Sequence, residues 1–580
     1  MLQITTGKFF SGVDCFETLH RGTFYTNYRA FQNDPIETPV GRLLPSTGLT
    51  GLSTLTYEVI EKIERSDPLP GTMVSTGGKE LIDDLAVVLS FTLNMICTTD
   101  SDLLRRLTAA DSPESNRINR SQKYLRRVFD TRVNLRPEDA ALIDDFIVAL
   151  VGLKRASYEG PIRAIRRYVT ATHRIADDSS LAYGLFVMSI EALAQASDAP
   201  LPSWLDYDES KRDRIDTALN EAPAEVSDRV RSAVLENEHV ALSRRFRDFA
   251  MQHLSPTFFR QDAADCVRPI RRPDLVTLLK RAYDIRSGYG HRLEAVPKLL
   301  SIPFDHAETF AIDDQPTLTF EGLARLARLV IKEFVKRAPK IEHEHYDWRS
   351  ALPNVVTMKL ASQYWIARPE GYMPETAAQR LQAFLIEISS VLLRPTDAAL
   401  TDLSAILDKI EQLPLDSAKS CQRRAMLTLY HLFITFAGPK YQRTRHQELL
   451  SRYEADYREP CVERLTICLL AWKPFPWPLE TMEKLHESYY RTRHHKRSLL
   501  LPELLEAMLT LRLAEDYRLA GNETRARELL TFAVEAFPSN AAIRALENSF
   551  GADKLSPIAA KDVLLPHTTQ GSGKTEELLT

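Results

Sequence analysis

Leu81, Leu85, Leu89 and Leu93 recur every four residues, the interval that lines side chains along one face of a helix. Ala141, Ile143, Phe146, Ile147 and Leu150 form a second apolar stripe. A third helix is predicted from Pro161, a favourable first helical residue, to Arg174. Ile162, Ile165 and Val169 share one of its faces, and Arg163, Arg166, Arg167 and Arg174 fall on another. The segment Leu181 to Ala196 is apolar nearly all round (Leu181, Leu185, Phe186, Met188, Ile190, Leu193), which places it in the middle of a bundle. Glu191 is its one acid. Amphipathic helix continues over 211–254, with a break at Ala222-Pro223, and two more helices are expected at 274–287 and 320–337.

The ends of the chain read differently. Residues 1–60 carry Phe9, Phe10, Phe24, Tyr25 and Tyr28, many Thr, and Gly and Pro punctuation, the pattern of short strands and turns. The polar stretch 101–136 is expected to be an exposed connection. Beyond a connector near residue 340, helices are predicted near 375–393, 397–412, 418–437, 444–455, 460–471, 479–491, 502–519, 523–536 and 540–549. Paired helices at regular spacing suggest a solenoid. In 510–543, Leu513, Ala514, Tyr517, Gly521, Ala526, Leu530, Ala533 and Pro538 sit where a tetratricopeptide repeat puts its packing residues, and a generic helical hairpin satisfies the same pattern.

The expected architecture is therefore mainly α. It comprises a small β or α+β module within 1–150, a helical bundle at 151–340, a C-terminal helical region resembling tetratricopeptide repeats at 341–552, and a disordered tail at 553–580. Gly573-Lys574-Thr575 in that tail imitates the end of a phosphate loop, but Thr568 stands where such a loop needs Gly, so no nucleotide site is expected there.

Composition narrows the function classes. Apolar residues make up 44% and charged residues 26% of 580 residues, ordinary for globular domains, and only 21 Gly against abundant Leu, Ala, Arg and Glu favours helices. A net charge of -4 gives no global attraction to nucleic acid or membrane, so such a partner needs a local patch. The six cysteines are scattered without C-x-x-C, implying neither a disulfide framework nor a zinc site. Residues 1–14 lack the apolar core of a signal peptide, and no long charge-free apolar run occurs, so a cytoplasmic protein without a membrane partner is expected. His343, His345, His494 and His495 have no acid or Cys at ligand spacing and read as exposed histidines, so no metal and no cofactor is expected.

The chemistry concentrates at 280–294, KRAYDIRSGYGHRLE. Arg286 and His291 are five residues apart, about 140° around an uninterrupted helix. Gly288 and Gly290 relax that constraint and would let the two side chains converge at a bend. Arginine stays charged and can fork onto phosphate, and histidine exchanges protons near neutral pH, a pairing suited to metal-free phosphodiester cleavage. The same spacing also fits a helix C-cap with a surface arginine and a histidine near the last carbonyls. Between 268 and 292 the bases Arg268, Arg271, Arg272, Lys280, Arg281, Arg286 and Arg292 outnumber the acids Asp274 and Asp284. With the Arg163, Arg166, Arg167 and Arg174 stripe they suggest a cationic groove, although a solvated face is the commoner meaning of such a stripe. Tyr283 and Tyr289 could stack on bases or simply fill the core.

Arg286-Ser287-Gly288-Tyr289-Gly290-His291 resembles the R-x(4)-H signature of HEPN domains. The upstream Ser189-Ile190-Glu191-Ala192-Leu193 is similar to the S-L-E-A-L helix of Apea-like HEPN domains, and the order of elements over about 155–340 agrees. The resemblance implies a bundle of four or five helices, usually dimeric, that cleaves RNA without metal. It implies that Arg286 holds the scissile phosphate and that His291 serves 2′-hydroxyl attack or leaving-group protonation. Glu191 would orient Arg286 or His291 from the neighbouring helix, or form a structural salt bridge. Tyr283, Tyr289, Arg281, Arg292, Arg163 and Arg167 would contact RNA.

The expected function is a regulated endoribonuclease acting on RNA, tRNA included, as a toxin or antiviral defence effector. It would form a homodimer through the bundle, with a protein trigger or partner at the C-terminal repeats. Two alternatives stay open: a catalytically silent helical scaffold that binds a protein partner, and a nucleotide-binding or nucleotide-transferring protein using the same Arg286/His291 pair.

Overall fold

The computed structural model describes residues 1–12, 14–29, 35–47, 52–64, 78–108, 121–196, 203–204, 207, 209–237, 242–302, 305–352, 361–394, 399–495, 498–549 and 556–566. The Gly573-Lys574-Thr575 segment lies outside them. Two compact units divide the chain, residues 1–357 and 358–580. Both are mainly helical, and the first carries the small antiparallel β module.

The module is built from β1 (Cys15–Thr26), β2 (Ile36–Thr38), β3 (Gly41–Thr47), β4 (Ser53–Glu64) and β5 (Cys97–Thr98), in the spatial order β2-β3-β4-β1-β5. β1 and β4 pair along their whole length, from Cys15 opposite Glu64 to Thr26 opposite Ser53. Alternation along the pleat sends Phe24, Leu55, Tyr57 and Val59 inward, into the same core as Leu81, Leu85, Val88 and Leu89 of α1 (Lys79–Leu93). α2 (Ser101–Thr108), the single turn α3 (Ser121–Tyr124) and α4 (Pro137–Val151) follow. The expected exposed connection at 101–136 is thus partly structural: Leu104, Tyr124, Leu125, Val128 and Phe129 are buried, an apolar set too sparse in sequence to show a period.

The bundle comprises α5 (Arg155–Arg174), α6 (Ser179–Ala196), α7 (Glu209–Ala218), α8 (Ala224–Asn237), α9 (Leu242–Gln252), α10 (Leu275–Arg292) and α11 (Phe320–Arg337). As its composition predicts, α6 is central, packing against α5, α9, α10 and α11. Ala182, Tyr183, Phe186, Val187, Ile190 and Leu193 are fully buried, and each large side chain contributes about 1.5–3 kcal/mol. Met188 is the exception, 36% exposed. α5 begins six residues before Pro161, which therefore lies inside the helix rather than opening it. Tertiary contacts secure the extra turn: the Arg155 N–H donates to Glu344 Oε2 at 2.7 Å, and its guanidinium lies over the Tyr158 and Tyr346 rings.

Between α10 and α11 the chain makes a hairpin, β6 (Thr309–Ile312) and β7 (Gln315–Leu318), turned by Asp313 and Asp314 at φ 53° and 57°. Strands this short leave little alternation to detect. Gly322 lets α11 start against the backbone of Glu308, since a Cβ there would lie 2.2 Å from the Glu308 carbonyl oxygen. The Glu308 carboxylate is buried and is held by Arg325 Nη2 at 2.7 Å and the Ile270 N–H at 2.9 Å. The connector after residue 340 returns to the module, where Trp348 packs with Phe10 and joins Ile4, Phe9 and Ile63 in a small cluster.

The second unit contains α12 (Ala377–Leu393), α13 (Ser404–Gln412), α14 (Ser420–Ala437), α15 (His446–Arg452), α16 (Val462–Leu470), α17 (Leu479–Thr492), α18 (Glu503–Leu519), α19 (Glu523–Ala536), α20 (Ala541–Asn548) and α21 (Ala560–Leu564). The first nine match the helices expected from periodicity. α18 and α19 form a hairpin through Gly521 at φ 79°, burying Leu513, Ala514, Tyr517, Ala526, Leu530 and Ala533. The tail expected to be disordered instead carries α21, with Ile558, Ala560 and Leu564 buried in the core of this unit. A segment this short, five residues in α21, spans too few turns to show a helical period in sequence. No described helix is long and apolar enough to cross a membrane, and all six cysteines are free thiols.

His173 near the end of α5 tests the bundle core. Its imidazole Nε2 is buried without a partner, and burial, reinforced by Arg174, lowers its pKa from 6.5 to about 4. The unfolded chain takes up this proton more readily, so this site's stabilising contribution is intact above pH 6.5 and declines as pH falls toward 4. In thermal melts, His173→Gln is expected to gain stability relative to wild type as pH drops from 7 to 5. A difference that stays constant with pH contradicts this assignment.

Candidate functional site

Glu191 is 5% exposed on α6, surrounded by apolar neighbours, where an unpaired carboxylate is costly. Its partner is Arg286 of α10, Nη2 to Oε2 at 2.8 Å. Tyr283, one turn before Arg286, has its phenol near the Glu191 carboxylate, and the Arg286 guanidinium lies 5.8 Å from the Tyr283 ring centroid. Burial, then the Glu191 charge, raises the Tyr283 pKa, which keeps the phenol protonated as a donor. This ring also meets Phe246 of α9, centroids 5.7 Å apart. Two segments about a hundred residues apart thus meet in a carboxylate–guanidinium–phenol cluster. The Arg286 side chain reaches toward Gly290, where a Cβ would sit 3.8 Å from Nη1, and its Nε is buried without a partner.

The expected bend at Gly288 and Gly290 is absent. α10 runs unbroken through both glycines to Arg292 and ends at Leu293, φ 55°, whose N–H donates to Tyr289 O at 3.0 Å. Two glycines cost a helix roughly 1 kcal/mol each, too little to break one packed on α6 and α9. Gly288 serves the reversal that follows, because a Cβ there would lie 2.8 Å from Glu294 Oε2 folded back over it. Arg286 and His291 consequently leave the axis about 140° apart. His291 is exposed in the last turn, and the Arg286 guanidinium is 20% exposed beside Glu191.

The remaining predicted residues are spread over three surroundings. Tyr289 is partly buried, its hydroxyl 3.4 Å from Asp178 Oδ2 and its ring beside Gly184, so both tyrosines are engaged within the bundle. Arg281 faces Asp313 at the hairpin turn, 3.6 Å away, and Arg292 pairs with Glu294, Nη2 to Oε2 at 2.8 Å. Arg271 pairs with Asp274. Three of the bases read along 268–292 are therefore paired with acids that a local window does not contain, Asp313, Glu191 and Glu294, whereas Arg268, Arg272 and Lys280 stay exposed. On α5, Arg166 is held by the buried Asp84, whereas Arg163, Arg167 and Arg174 are exposed and have no carboxylate partner among the described residues. α5 and α10 both pack on α6. His343, His345, His494 and His495 are exposed as expected.

Sequence reasoning missed Asp178, whose Oδ1 also accepts the Leu181 N–H at 2.9 Å at the start of α6. The Asp-Asp-Ser-Ser run before an apolar helix was the available cap signal. Asp313 and Glu294 carried no such signal, because nothing periodic ties them to α10. Set against known proteins, the chain matches no family model, no curated protein and no solved structure.

If Glu191 and Arg286 hold α6 and α10 together, removing either strands a mostly buried charge. Glu191→Ala and Arg286→Ala are each expected to cost about 2–4 kcal/mol in denaturant unfolding, with the double variant falling short of additivity by about 2 kcal/mol. Additive losses would mean that the pair contributes no coupling.

Proposed function

We propose that this protein is a metal-independent endoribonuclease of HEPN type, with Arg286 binding the scissile phosphate and His291 exchanging the proton. The observation that carries this reading is the 2.8 Å pairing of Glu191 with Arg286, which joins the two segments bearing the HEPN resemblance. Glu191 and Tyr283 fix the guanidinium in place, a preorganisation that favours stabilisation of developing charge. His291 stands exposed one turn further along, and no pairing partner engages its ring among the described residues. With the two side chains diverging around α10, one copy would present its arginine to one side of a groove and its histidine to another. A homodimer formed through the bundle would bring two such motifs around one RNA. Arg163, Arg167 and Arg174 offer unpaired cations for the backbone of a polyanion.

In this reading the tetratricopeptide-like second unit restrains or triggers the nuclease, as in a defence effector or toxin. Purified full-length protein incubated with total RNA or tRNA in EDTA tests the reading. Wild type is expected to cut, and His291→Ala to cut about 10²–10⁴-fold more slowly with an unchanged melting curve, since that side chain is exposed. Arg286→Lys keeps the charge opposite Glu191 but loses the fork, so it should lose cleavage while remaining folded. Cleavage by His291→Ala at the wild-type rate would remove the proposal.

A further inference from the structure

A groove of about 770 Å³ runs between α17 and α19 in the second unit, a volume within the range of ligand-binding sites. Its lining reaches from Thr524 to Glu535 along α19, about 16 Å of helix, which matches about five residues of extended chain. Aromatic rings form part of it: His486 and Tyr490, one turn apart on α17, meet Phe532 of α19 with ring centroids 5.4 Å and 4.9 Å away. His486 is 5% exposed, and burial, then the Arg525 charge, lowers its pKa to about 4, so the ring is neutral. Thr510 Oγ1 donates to Glu506 O at 3.1 Å. His486 Nε2, 3.1 Å from the same hydroxyl, therefore carries the ring hydrogen, and Nδ1 is left as an acceptor. Carboxylates line the groove as well. Glu487 comes from α17, and Glu528 and Glu535 share a face of α19 with Phe532, at i, i+7 and i+4. Glu487 and Glu535 are exposed. Of the two arginines in the lining, Arg525 and Arg527, the first is held between Glu483 at 2.6 Å and Glu528 at 2.5 Å.

We propose that this groove binds an extended, arginine-bearing peptide segment of a partner protein, with guanidinium groups stacking on Phe532 and pairing with Glu487 and Glu535. Charge complementarity selects a cation: three carboxylates line the groove against two guanidiniums, and the buried imidazole adds no positive charge. Aromatic rings beside carboxylates select arginine over lysine, because a planar guanidinium stacks on a ring and forks onto a carboxylate, whereas an ammonium does neither. The protein uses this mode on its own arginines next to the groove. The Arg493 guanidinium lies 4.7 Å from the Tyr490 ring centroid while it pairs with Glu506 at 2.8 Å, and Arg525 bridges two carboxylates. The length of the lining selects a chain over a free guanidinium compound, which would contact only part of it. The site lies wholly in the second unit and does not depend on the nuclease reading.

Fluorescence anisotropy of the full chain with the fluorescein-labelled peptide amide Ala-Arg-Ala-Arg-Ala tests it, since alternate residues of an extended chain project to one side. The arginine peptide should bind, and its lysine counterpart, of equal charge, about fivefold more weakly. As competitor, Nα-acetylarginine amide, which offers the guanidinium without the chain, should be about tenfold less effective than the unlabelled peptide. Glu487→Gln and Glu535→Gln should each weaken binding about threefold with unchanged melting curves, because both side chains are exposed. Phe532→Leu keeps an apolar side chain but loses the ring face, and should weaken binding by about the same factor. Glu454→Gln, which removes an exposed acid outside the groove, should bind like wild type. The proposal is overturned if the arginine peptide does not bind, or if the lysine peptide or the acetylarginine amide does as well. It is equally overturned if any of the three groove variants binds like wild type, or if Glu454→Gln weakens binding as much as they do.

Discussion

A carboxylate in the middle of an apolar helix is the constraint around which the first unit is organised. Glu191 cannot be left unpaired in α6, and Arg286 is the cation that reaches it. That pairing fixes the rotation of α10 about its own axis, because the face carrying Arg286 and Tyr283 must look at α6 and α9. Once this face is set, the last turn of α10 directs His291 to solvent. Position and chemistry therefore have one cause: the interaction that satisfies the core also holds a permanent positive charge at a fixed place near the surface.

Electrostatics around this point are tighter than a chain with so many arginines suggests. Arg281, Arg286 and Arg292, spaced along one helix, each meet an acid from a different element: the β6–β7 turn, α6, and the reversal after α10. Exposed cations without an ion-pair partner among the described residues stand on α5, at Arg163, Arg167 and Arg174, and also at Arg272 and Lys280. A polyanion would thus be drawn by α5 and would meet in Arg286 a guanidinium already oriented, whose carboxylate partner holds it in place.

What was legible in the sequence were features with a period or a composition. The C-terminal helices follow from repeats of apolar residues, and the central place of α6 from its lack of a polar face. Pairing of Glu191 was legible because burial leaves an acid few options, although its partner was one of two. The failures share a different cause. Gly288 and Gly290 read as a bend because local propensity favours one, but packing of α10 on α6 and α9 outweighs it. Pro161 read as a helix start, yet Arg155 is anchored from outside its own element by Glu344. Asp313 and Glu294 neutralise arginines through proximity that arises only on folding. Non-local partners, not local preferences, decided each of these.

The chemistry of the cut ends tests the central claim most directly. RNA cleaved by the full-length protein in EDTA, if Arg286 and His291 activate the 2′-hydroxyl, must carry 2′,3′-cyclic phosphate on one fragment and a free 5′-hydroxyl on the other. Fragments bearing 5′-phosphate, or RNA left intact with labelled nucleotide transferred to a target, would contradict the account.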